Sequence, residues 1–489
     1  MFHSKNFKKM KKYILTLLTA SVFFTSCSRD ESLLDKEPQG NVSADQIQDM
    51  IKEFPERSLS VLAGAEAGNT NYMIQSNTNG LGAHDDFGYM SIRTGLDHMT
   101  NDLVMNASHW FNSYYMYLAR NVDNSRDRMV WRYNYKVIYN MNEVLKLIPA
   151  DVADNDTKYI KGRALAIRAN AYMDLVRLYA VGEQGIPYYS LGDNKVYTQS
   201  RVPTSQVWGY IEADLLKSFD LLQGYTRASK ESVNRNVVAG FLARLYLTTG
   251  NYAKAAQFAN AARQGYTPMS STQLFDGFQN ISNPEWMWGA DINGSTTTYY
   301  ASFFSHMSNL NQGYAGLLGI YRNIDSRLYE KISNTDLRKE WFLPAKTGAL
   351  PKYANVKFYD DTFFEGDYLY MRASEFYLIE AEALARSGNE PQARQVLFDL
   401  VSKRDPSYVL STNTGANLLD EIRTHKKIEL WGEGNEFFDM KRLNEPLVRN
   451  YTGTNHPSFG RLNIPSGDPR FNFQIPQAEL DANPDVSNP

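Results

Sequence analysis

The chain is poor in cysteine, in net charge and in long apolar runs. Cys27 is the only cysteine among 489 residues, and the formal net charge is −3. A charge this small provides no basic footprint for nucleic acid and no electrostatic attraction to an anionic membrane. Behind the N-terminal segment, no apolar run approaches the roughly 20 residues that a spanning helix needs. What the chain does contain is 13% aromatic residues and enough length to bury a large core.

The N-terminal segment resembles a bacterial lipoprotein signal. Five lysines precede an apolar stretch at 13–24, and two small polar residues separate this stretch from Cys27. The stretch has the length of a signal-peptide core and is too short to span a bilayer as a helix. Phe24 stands where the lipoprotein box usually has leucine, so an ordinary secretory signal with a chance cysteine is the alternative. We predict that residues 1–26 are a signal peptide and that Cys27 is the lipidation site.

Lipidation of Cys27 would leave the mature protein without a free thiol. Structural disulfides, cysteine metal sites and cysteine nucleophiles are then excluded. Residues 27–42 are interpreted as a lipidated tether, in which the acidic Asp30 and Glu31 resemble a signal for export to the cell surface. The expected location is therefore the outer membrane, with a lipid anchor and the protein facing the cell exterior.

Apolar residues recur at helical spacing from about residue 43 to residue 265, which predicts a mostly α-helical protein. The candidate helices are 45–62, interrupted at Pro55, then 129–148, 156–179, and one that Thr204 and Ser205 can cap.

Two segments carry a tetratricopeptide-like pattern, in which a glycine turn joins two helices with small residues at their contact. Gly250 in the first segment and Gly388 in the second make the turn. The small or apolar residues that follow at the same spacing are Ala255, Ala259 and Ala262 in the first copy and Ala393, Leu397 and Leu400 in the second. The alternative is two generic helical hairpins, which predict the same α-rich architecture.

A long segment near 266–370 separates the two copies and is rich in Asn, Gly, Ser, Thr and aromatic residues. Residues 283–292 indicate a short strand on which Trp286 and Trp288 alternate, so at least one of the two belongs to the core. A long irregular insert in a compact domain is usually functional. We expect a single domain over 43–489, with helical repeats near 129–265 and 371–443 and this loop-rich insert between them.

The sequence does not indicate catalysis, a cofactor or a metal site. Its acidic pairs, Asp85-Asp86, Asp360-Asp361 and the nearby Glu380 and Glu382, are expected to be solvated or to cap turns. Two carboxylates that hydrolyse a glycoside must face each other across the sugar, and adjacent acids do not provide this geometry. The seven histidines show no zinc spacing, and no nucleophile elbow or phosphate loop occurs. We therefore predict a protein that is not an enzyme.

Two stretches, 84–117 and 293–314, combine aromatic rings with polar side chains. A ring can stack on the apolar face of a sugar, while amides, acids and arginine bond its hydroxyls. The candidate ligand-binding residues are Asp85, Asp86, Arg93, Trp110, Asn112, Tyr299, Tyr300 and Asn311.

Four blocks together resemble the SusD/RagB family of outer-membrane nutrient-binding lipoproteins, and they follow one another in the order that the family shows. They are 164–189 (ALAIRANAYMDLVRLYAVGEQGIPYY), 201–222 (RVPTSQVWGYIEADLLKSFDLL), 371–388 (MRASEFYLIEAEALARSG) and 474–483 (QIPQAELDAN) with the following Pro484. One segment departs from the pattern: His425 and Lys426 stand where the family usually has an acid-arginine pair, and Glu436 replaces a later arginine. We interpret these changes as altered packing or surface ion pairs of a structural helix.

The resemblance implies a mostly α fold, with a tetratricopeptide-like helical-hairpin scaffold and a loop-rich, partly β insert that binds the ligand. It also implies that the protein captures a glycan and acts as a lid on a SusC-like, TonB-dependent outer-membrane transporter, without covalent chemistry. The same fold binding peptides or another nutrient is one alternative, and a helical-repeat scaffold that binds only protein partners is another. The sequence does not identify the glycan.

Overall fold

The computed structural model describes most of the chain behind the N-terminal segment. The described residues are 57–75, 82–118, 120–148, 154–190 and 199–488, together with Asp49, Glu53, Thr78 and Val152. Cys27, the predicted signal peptide 1–26 and the predicted tether 27–42 lie outside the described residues, as does most of the first half of the candidate helix 45–62.

Helices dominate the described part of the chain. They are α1 (Ser58–Ile74), α2 (Gly88–Asp97), α3 (Asn112–Tyr115), α4 (Ser125–Lys146), α5 (Asn155–Tyr179), α6 (Thr204–Leu221), α7 (Arg235–Thr249), α8 (Tyr252–Arg263), α9 (Phe303–Met307), α10 (Ser326–Glu330), α11 (Ala373–Arg386), α12 (Glu390–Val401), α13 (Gly415–Glu429), α14 (Glu436–Arg442) and α15 (Gln477–Ala482). None of these helices is both long and apolar enough to cross a membrane.

Six short strands pair two by two in the described residues. They are β1 (Leu103–Met105), β2 (Trp286–Ala290), β3 (Arg322–Ile324), β4 (Tyr368–Arg372), β5 (Leu447–Val448) and β6 (Asn463–Ile464). The antiparallel pairs are β1 with β3, β2 with β4, and β5 with β6. Trp286 and Trp288 on β2 are both buried, so the prediction that at least one belongs to the core is confirmed.

The scaffold is a continuous array of helices. Helices α4 to α8 form a consecutive row in which neighbours in the chain pack against each other. The last of them, α8, packs against α11, and α11 packs against α12 and α13. Because α8 ends at Arg263 and α11 begins at Ala373, the insert leaves the array and returns to the same place in it. The predicted fold class, a helical-hairpin scaffold with a loop-rich and partly β insert, is confirmed.

The two predicted hairpins form at their glycines. Gly250 between α7 and α8 has φ +80°, and Gly388 between α11 and α12 has φ +87°, a region that side chains disfavour. The residues that the pattern placed at the helix contact are all completely buried: Ala255, Ala259, Ala262, Ala393, Leu397 and Leu400. The alanines among them let the paired helices approach closely.

A third glycine sets the distance between the two hairpins. A Cβ atom at Gly240 of α7 would lie 2.6 Å from Cζ of Phe376 on α11 and 2.9 Å from the sulfur of Met371. Real Cβ atoms do not approach other heavy atoms this closely, so any larger residue would have to displace Phe376 or Met371 from the tight contact at α7.

A buried network of charges joins the insert to the scaffold. Glu285, just before β2, accepts hydrogen bonds from Arg372 (2.7 Å) and Arg404 (2.9 Å). Glu429, at the end of α13, lies 2.9 Å from Arg338, 2.6 Å from Arg372 and 3.0 Å from Arg404. All five side chains are at most 1% exposed. Arg338 and Glu285 belong to the insert, so these contacts hold the insert against the helices.

The prediction that Glu380 and Glu382 are solvated or cap turns is wrong. Both side chains of α11 are buried. Glu380 lies 2.6 Å from Nε of Arg263, and Glu382 lies 2.7 Å from Nη2 of Arg442. A carboxylate can be buried when an arginine satisfies its charge and its hydrogen bonds, and both partners come from distant parts of the chain.

The segment that departs from the family pattern is also buried. Lys426 on α13 lies 2.7 Å from Asp439, and Arg423 lies 2.6 Å from Glu436, both on α14. Lys426 and Glu436 are only 4% and 9% exposed. Of the two interpretations, altered packing is therefore correct, and these ion pairs are not on the surface.

Candidate functional site

The structure brings the two predicted ligand-facing stretches together. Nδ1 of His84 lies 2.6 Å from the hydroxyl oxygen of Tyr314, within hydrogen-bond distance, although the two residues are 230 positions apart. The ring of Trp110 meets Tyr314 edge-on at a centroid distance of 6.3 Å. Nε2 of His306 lies 2.7 Å from the carbonyl oxygen of His84, and this contact also joins the two stretches.

Around this junction lies a group of partly exposed rings that we call the aromatic surface: Trp110, Tyr299, Tyr300, Tyr314 and Phe363. Tyr299, Tyr300 and Phe363 are 48%, 42% and 55% exposed. The centroids of Tyr300 and Tyr314 are 6.3 Å apart, and those of Tyr299 and Phe363 are 6.0 Å apart. The rings thus form a neighbouring set that presents large apolar faces to solvent.

The rings of the aromatic surface rest on a rigid base. Buried Phe364 lies 5.5 Å from Tyr300 and 5.0 Å from Phe363, and its carbonyl accepts a hydrogen bond from the Thr297 hydroxyl. Tyr299 has φ +50°, a left-handed conformation that is uncommon for a residue with a side chain. Such a conformation persists only when neighbouring contacts hold it, which is typical of binding sites.

Tyr314 is packed against imidazoles. The ring of His306 stacks on it at 4.9 Å with an angle of 10°, and the ring of His109 lies at the same distance. Burial lowers the pKa of His306 well below its ordinary value, and the positive charge of Arg322 adds to this. His306 is therefore a neutral ring at physiological pH and supports Tyr314 without a charge.

Three predicted site residues lie at the aromatic surface, and Asn112 follows Trp110 closely in the chain. Trp110, Tyr299 and Tyr300 belong to the surface itself. Nε1 of Trp110 and Oδ1 of Asn112 have no hydrogen-bond partner among the described residues. Both atoms are buried, so they are not presented to a ligand at the exposed ring faces.

Sequence analysis missed Phe363, because aromatic residues in an irregular loop carry no periodic signal that separates an exposed ring from a buried one such as Phe364. Phe363 becomes recognisable only in the folded structure, where its ring lies next to that of Tyr299.

A model of the SusD family matches residues 240–489, half of the chain. The chain belongs to the SusD family. A second family model, described as starch-binding and associating with the outer membrane, matches residues 64–247 of this SusD-family protein. The predicted SusD/RagB resemblance is confirmed.

Relatives of this SusD-family protein share modest identity with it. SusD-like protein P2 of Formosa agariphila is 26% identical over 377 residues, which are 66% of this chain and 72% of that protein. A SusD-like carbohydrate binding protein from Bacteroides vulgatus is 24% identical, with a TM-score of 0.76 over 88% of this chain and 97% of that chain. A laminarin-binding SusD-like protein is 18% identical, with a TM-score of 0.69 over 87% and 99%. The two solved structures show that the fold is shared.

Arg93 does not lie at the aromatic surface of this SusD-family protein. It is buried on α2, where Nη2 lies 2.9 Å from Asp174 and the guanidinium lies 4.7 Å from the ring centroid of Tyr89 and 5.0 Å from that of Phe438. The prediction that Arg93 contacts the ligand is therefore corrected: Arg93 forms an ion pair in the core, between α2 and α5.

Asp85 and Asp86 are also buried, so the expectation that they are solvated is wrong. Burial raises the pKa of Asp85, although the charge of Arg126 opposes this. Nε of Arg126 lies 2.6 Å from Oδ2 of Asp85, and the Arg126 guanidinium lies 5.9 Å from the Trp110 ring centroid. Asp85 therefore acts on the aromatic surface indirectly, by placing Arg126 beside Trp110.

Asn311 is buried and positions loops. Its side-chain nitrogen donates to the Asp360 carbonyl (2.6 Å), and its side-chain oxygen accepts from the Asp360 backbone nitrogen (3.0 Å). Asp360 is buried too and accepts from the backbone nitrogen of Thr362 (2.8 Å), so it caps a turn as predicted. These bonds hold the loop that carries Phe363 next to the segment that carries Tyr314.

The chemistry that the site offers is stacking and hydrogen bonding. In the part of the chain that the structure describes, no three His, Cys, Asp or Glu side chains are grouped so that they could hold a metal ion. The carboxylate of Asp85 is engaged by Arg126. An apolar face with polar atoms at its edge is suited to a sugar ring.

Proposed function

We propose that this SusD-family protein binds a glycan, an oligo- or polysaccharide, through the aromatic surface at the cell exterior. The observation that carries the proposal is the exposure of Tyr299, Tyr300 and Phe363 as neighbouring rings beside Trp110. The apolar C–H face of a sugar stacks on such rings.

We further infer that the protein delivers the glycan to a SusC-like, TonB-dependent outer-membrane transporter and stays attached to the membrane through lipidated Cys27. Support comes from the lipoprotein-like signal at 1–26 and from the match to a family model described as associating with the outer membrane. In this proposal residues 27–42 are the tether. One SusD-like domain follows over 43–489, with helical repeats near 129–265 and 371–443 and the insert near 266–370.

We infer that the protein binds its ligand without transforming it. The carboxylates of Asp85, Glu380 and Glu382 are engaged by arginines and leave no free acid pair among them. Glycoside hydrolysis needs two carboxylates that flank the scissile bond. Turnover of a labelled polysaccharide that disappears with a single Asp or Glu substitution would contradict this inference.

The test is calorimetric titration of the soluble protein with laminarin, with amylopectin and with a peptide mixture. The Tyr299→Ala/Tyr300→Ala variant should lose at least about tenfold in glycan affinity, because truncating a central aromatic contact typically costs more than about 1 kcal/mol. The matched control is Tyr139→Ala on α4, a ring that is 51% exposed and lies outside the aromatic surface. It should bind as the wild type does.

Three outcomes would contradict the proposal. Tight binding of peptide without binding of any glycan would favour the peptide alternative. Equal affinity of the double variant and the control would remove the aromatic surface from the site. Uptake that survives the double substitution, while assembly with protein partners depends on the helices, would favour a protein-binding scaffold.

A further inference from the structure

A concave region lies beside the aromatic surface. It is a cavity of about 790 Å³ that we call the polar groove, formed by residues of the segments 273–284, 291–292 and 359–367. None of the eight predicted site residues lines it. Its volume lies within the usual range of ligand pockets, about 300–1,000 Å³.

Aromatic and amide side chains, which are suited to bind sugars, line the polar groove. Phe275 and Tyr359 line it and are 46% and 41% exposed, so each presents a ring face to solvent. Four side-chain amides lie between and around them: Gln273, Gln279, Asn280 and Asn283. The buried Asn283 amide is bonded to Asp276 and to the backbone nitrogen of Glu285, and the Gln279 amide is bonded at both ends within the wall. Gln273 and Asn280 are therefore the amides placed to bond a sugar hydroxyl.

The polar groove and the aromatic surface share one loop. Thr362 and Glu365 line the groove, while Phe363, between them in the chain, belongs to the aromatic surface. Consecutive Cα atoms are about 3.8 Å apart, so the two regions are separated by the width of a single turn. A chain of sugars that stacks on Phe363 can therefore continue over this turn into the groove.

The turn and the walls are held in place before any ligand arrives. The Thr362 hydroxyl lies 2.6 Å from Oδ1 of Asp360 and accepts from the backbone nitrogen of Glu365 at 3.0 Å. Asp367 accepts from the backbone nitrogens of Ile281 (2.7 Å) and Ile292 (2.9 Å). Binding to a surface that is already ordered avoids the entropic cost of ordering it.

The charge of the polar groove is of one sign. Five acidic residues line it, Asp276, Asp291, Asp361, Glu365 and Asp367, and none of the described residues that line it is Lys, Arg or His. Asp291, Asp361 and Glu365 are exposed. At physiological ionic strength charges act over about 8 Å, so carboxylates at the rim repel a uronate or a sulfate group that enters the groove.

We propose that the polar groove is a second subsite, which takes the continuing part of a neutral glycan chain stacked on the aromatic surface and discriminates against anionic glycans. This inference rests on the proposed function and adds the class of glycan to it.

The first test measures how affinity depends on chain length. Short and long laminarin-derived oligosaccharides are titrated against the wild type, Tyr359→Ala and the Tyr139→Ala control. Tyr359→Ala should weaken binding of the long oligosaccharide about tenfold and that of the short one clearly less. The main-chain hydrogen bond of Tyr359 to Gly277 (3.1 Å) remains in this variant, and its melting temperature checks that it folds.

The second test measures charge discrimination with alginate as the anionic probe. Asp361→Asn/Glu365→Gln should bind alginate several-fold more tightly than the wild type does, while its affinity for neutral oligosaccharides changes little. Unchanged alginate binding, or an equal effect of Tyr359→Ala on short and long chains, would overturn the second subsite.

The two failures can be told apart. Glycan binding that depends on Tyr299 and Tyr300 but not on Tyr359 would refute only the polar groove. Absence of any glycan binding by the wild type would refute the proposed function and this inference with it.

Discussion

Replacing Glu429 by glutamine should weaken the attachment of the insert to the helical scaffold. Glu429 lies within 3.0 Å of Arg338, Arg372 and Arg404, and its side chain is completely buried. Burial alone would raise the pKa of Glu429, but the three guanidinium groups outweigh it and hold the pKa well below its ordinary value. Glutamine keeps the size of the side chain and removes the charge. The three arginines then lose a common counter-ion inside the protein.

The magnitude follows from the burial of the pair. Removing one partner of a buried ion pair typically costs about 3–5 kcal/mol, and here it leaves three buried arginines with too few counter-ions. Unfolding entropy of about 2.1 cal/mol/K per residue gives about 0.9 kcal/mol/K for the compact unit of roughly 430 residues that begins at Leu59. The melting temperature of Glu429→Gln should therefore fall by about 3–6 °C.

The assay is thermal unfolding followed by circular dichroism, with urea unfolding as a second measurement. The matched control is Glu390→Gln on α12, whose partner Arg394 lies 3.8 Å away in a partly exposed pair. Such pairs contribute about 0.2–1 kcal/mol, so the control should melt within about 1 °C of the wild type. If Glu429→Gln melts like the control, the reasoning that the buried charges hold the insert is refuted.

Three further predictions follow from particular residues. Gly240→Ala should destabilise the protein by about 1–3 kcal/mol in urea unfolding, because its Cβ would overlap Phe376. The control Gly209→Ala has open space around it on α6 and should stabilise the protein by about 0.5–1 kcal/mol. Equal effects of the two substitutions would contradict the close packing of α7 and α11. Stability should fall as the pH drops below about 4.5, because an acid with a depressed folded-state pKa stabilises the fold fully above its unfolded-state pKa and loses this contribution as the pH falls towards its folded-state pKa. Urea unfolding at several pH values should show a shallower fall for Glu429→Gln, and parallel curves would contradict this linkage. Cys27→Ala should abolish labelling by a fatty-acid analogue and membrane anchoring in cells while leaving the melting temperature and glycan affinity of the soluble protein unchanged; loss of either would contradict the tether.

The architecture of the scaffold was predictable because its signals are local. Gly250 and Gly388 stand where the chain must turn with positive φ, and alanines at fixed spacing after Gly250 form the contact between two neighbouring helices. The helical spacing of apolar residues and the turn residues between helices can both be recognised within a window of some 20 residues. The structure has helices over the segments where these signals occur.

The candidate site was predictable only as two stretches of chain. Trp110, Tyr299 and Tyr300 could be named because aromatic residues in loops often bind ligands. That His84 meets Tyr314, and that Phe363 joins the same set of rings, depends on contacts between residues far apart in the sequence.

The amino-acid sequence by itself determined the helical class, the turns, the signal-like N-terminus and the family, because each of these depends on neighbouring residues or on ordered blocks. Tertiary structure alone decided which charged and aromatic side chains are exposed. Arg93, Asp85 and Glu380 are buried because partners from distant segments, Asp174, Arg126 and Arg263, compensate their charges. Burial of a charge depends on such partners and not on the residue type, so composition and spacing could not reveal it.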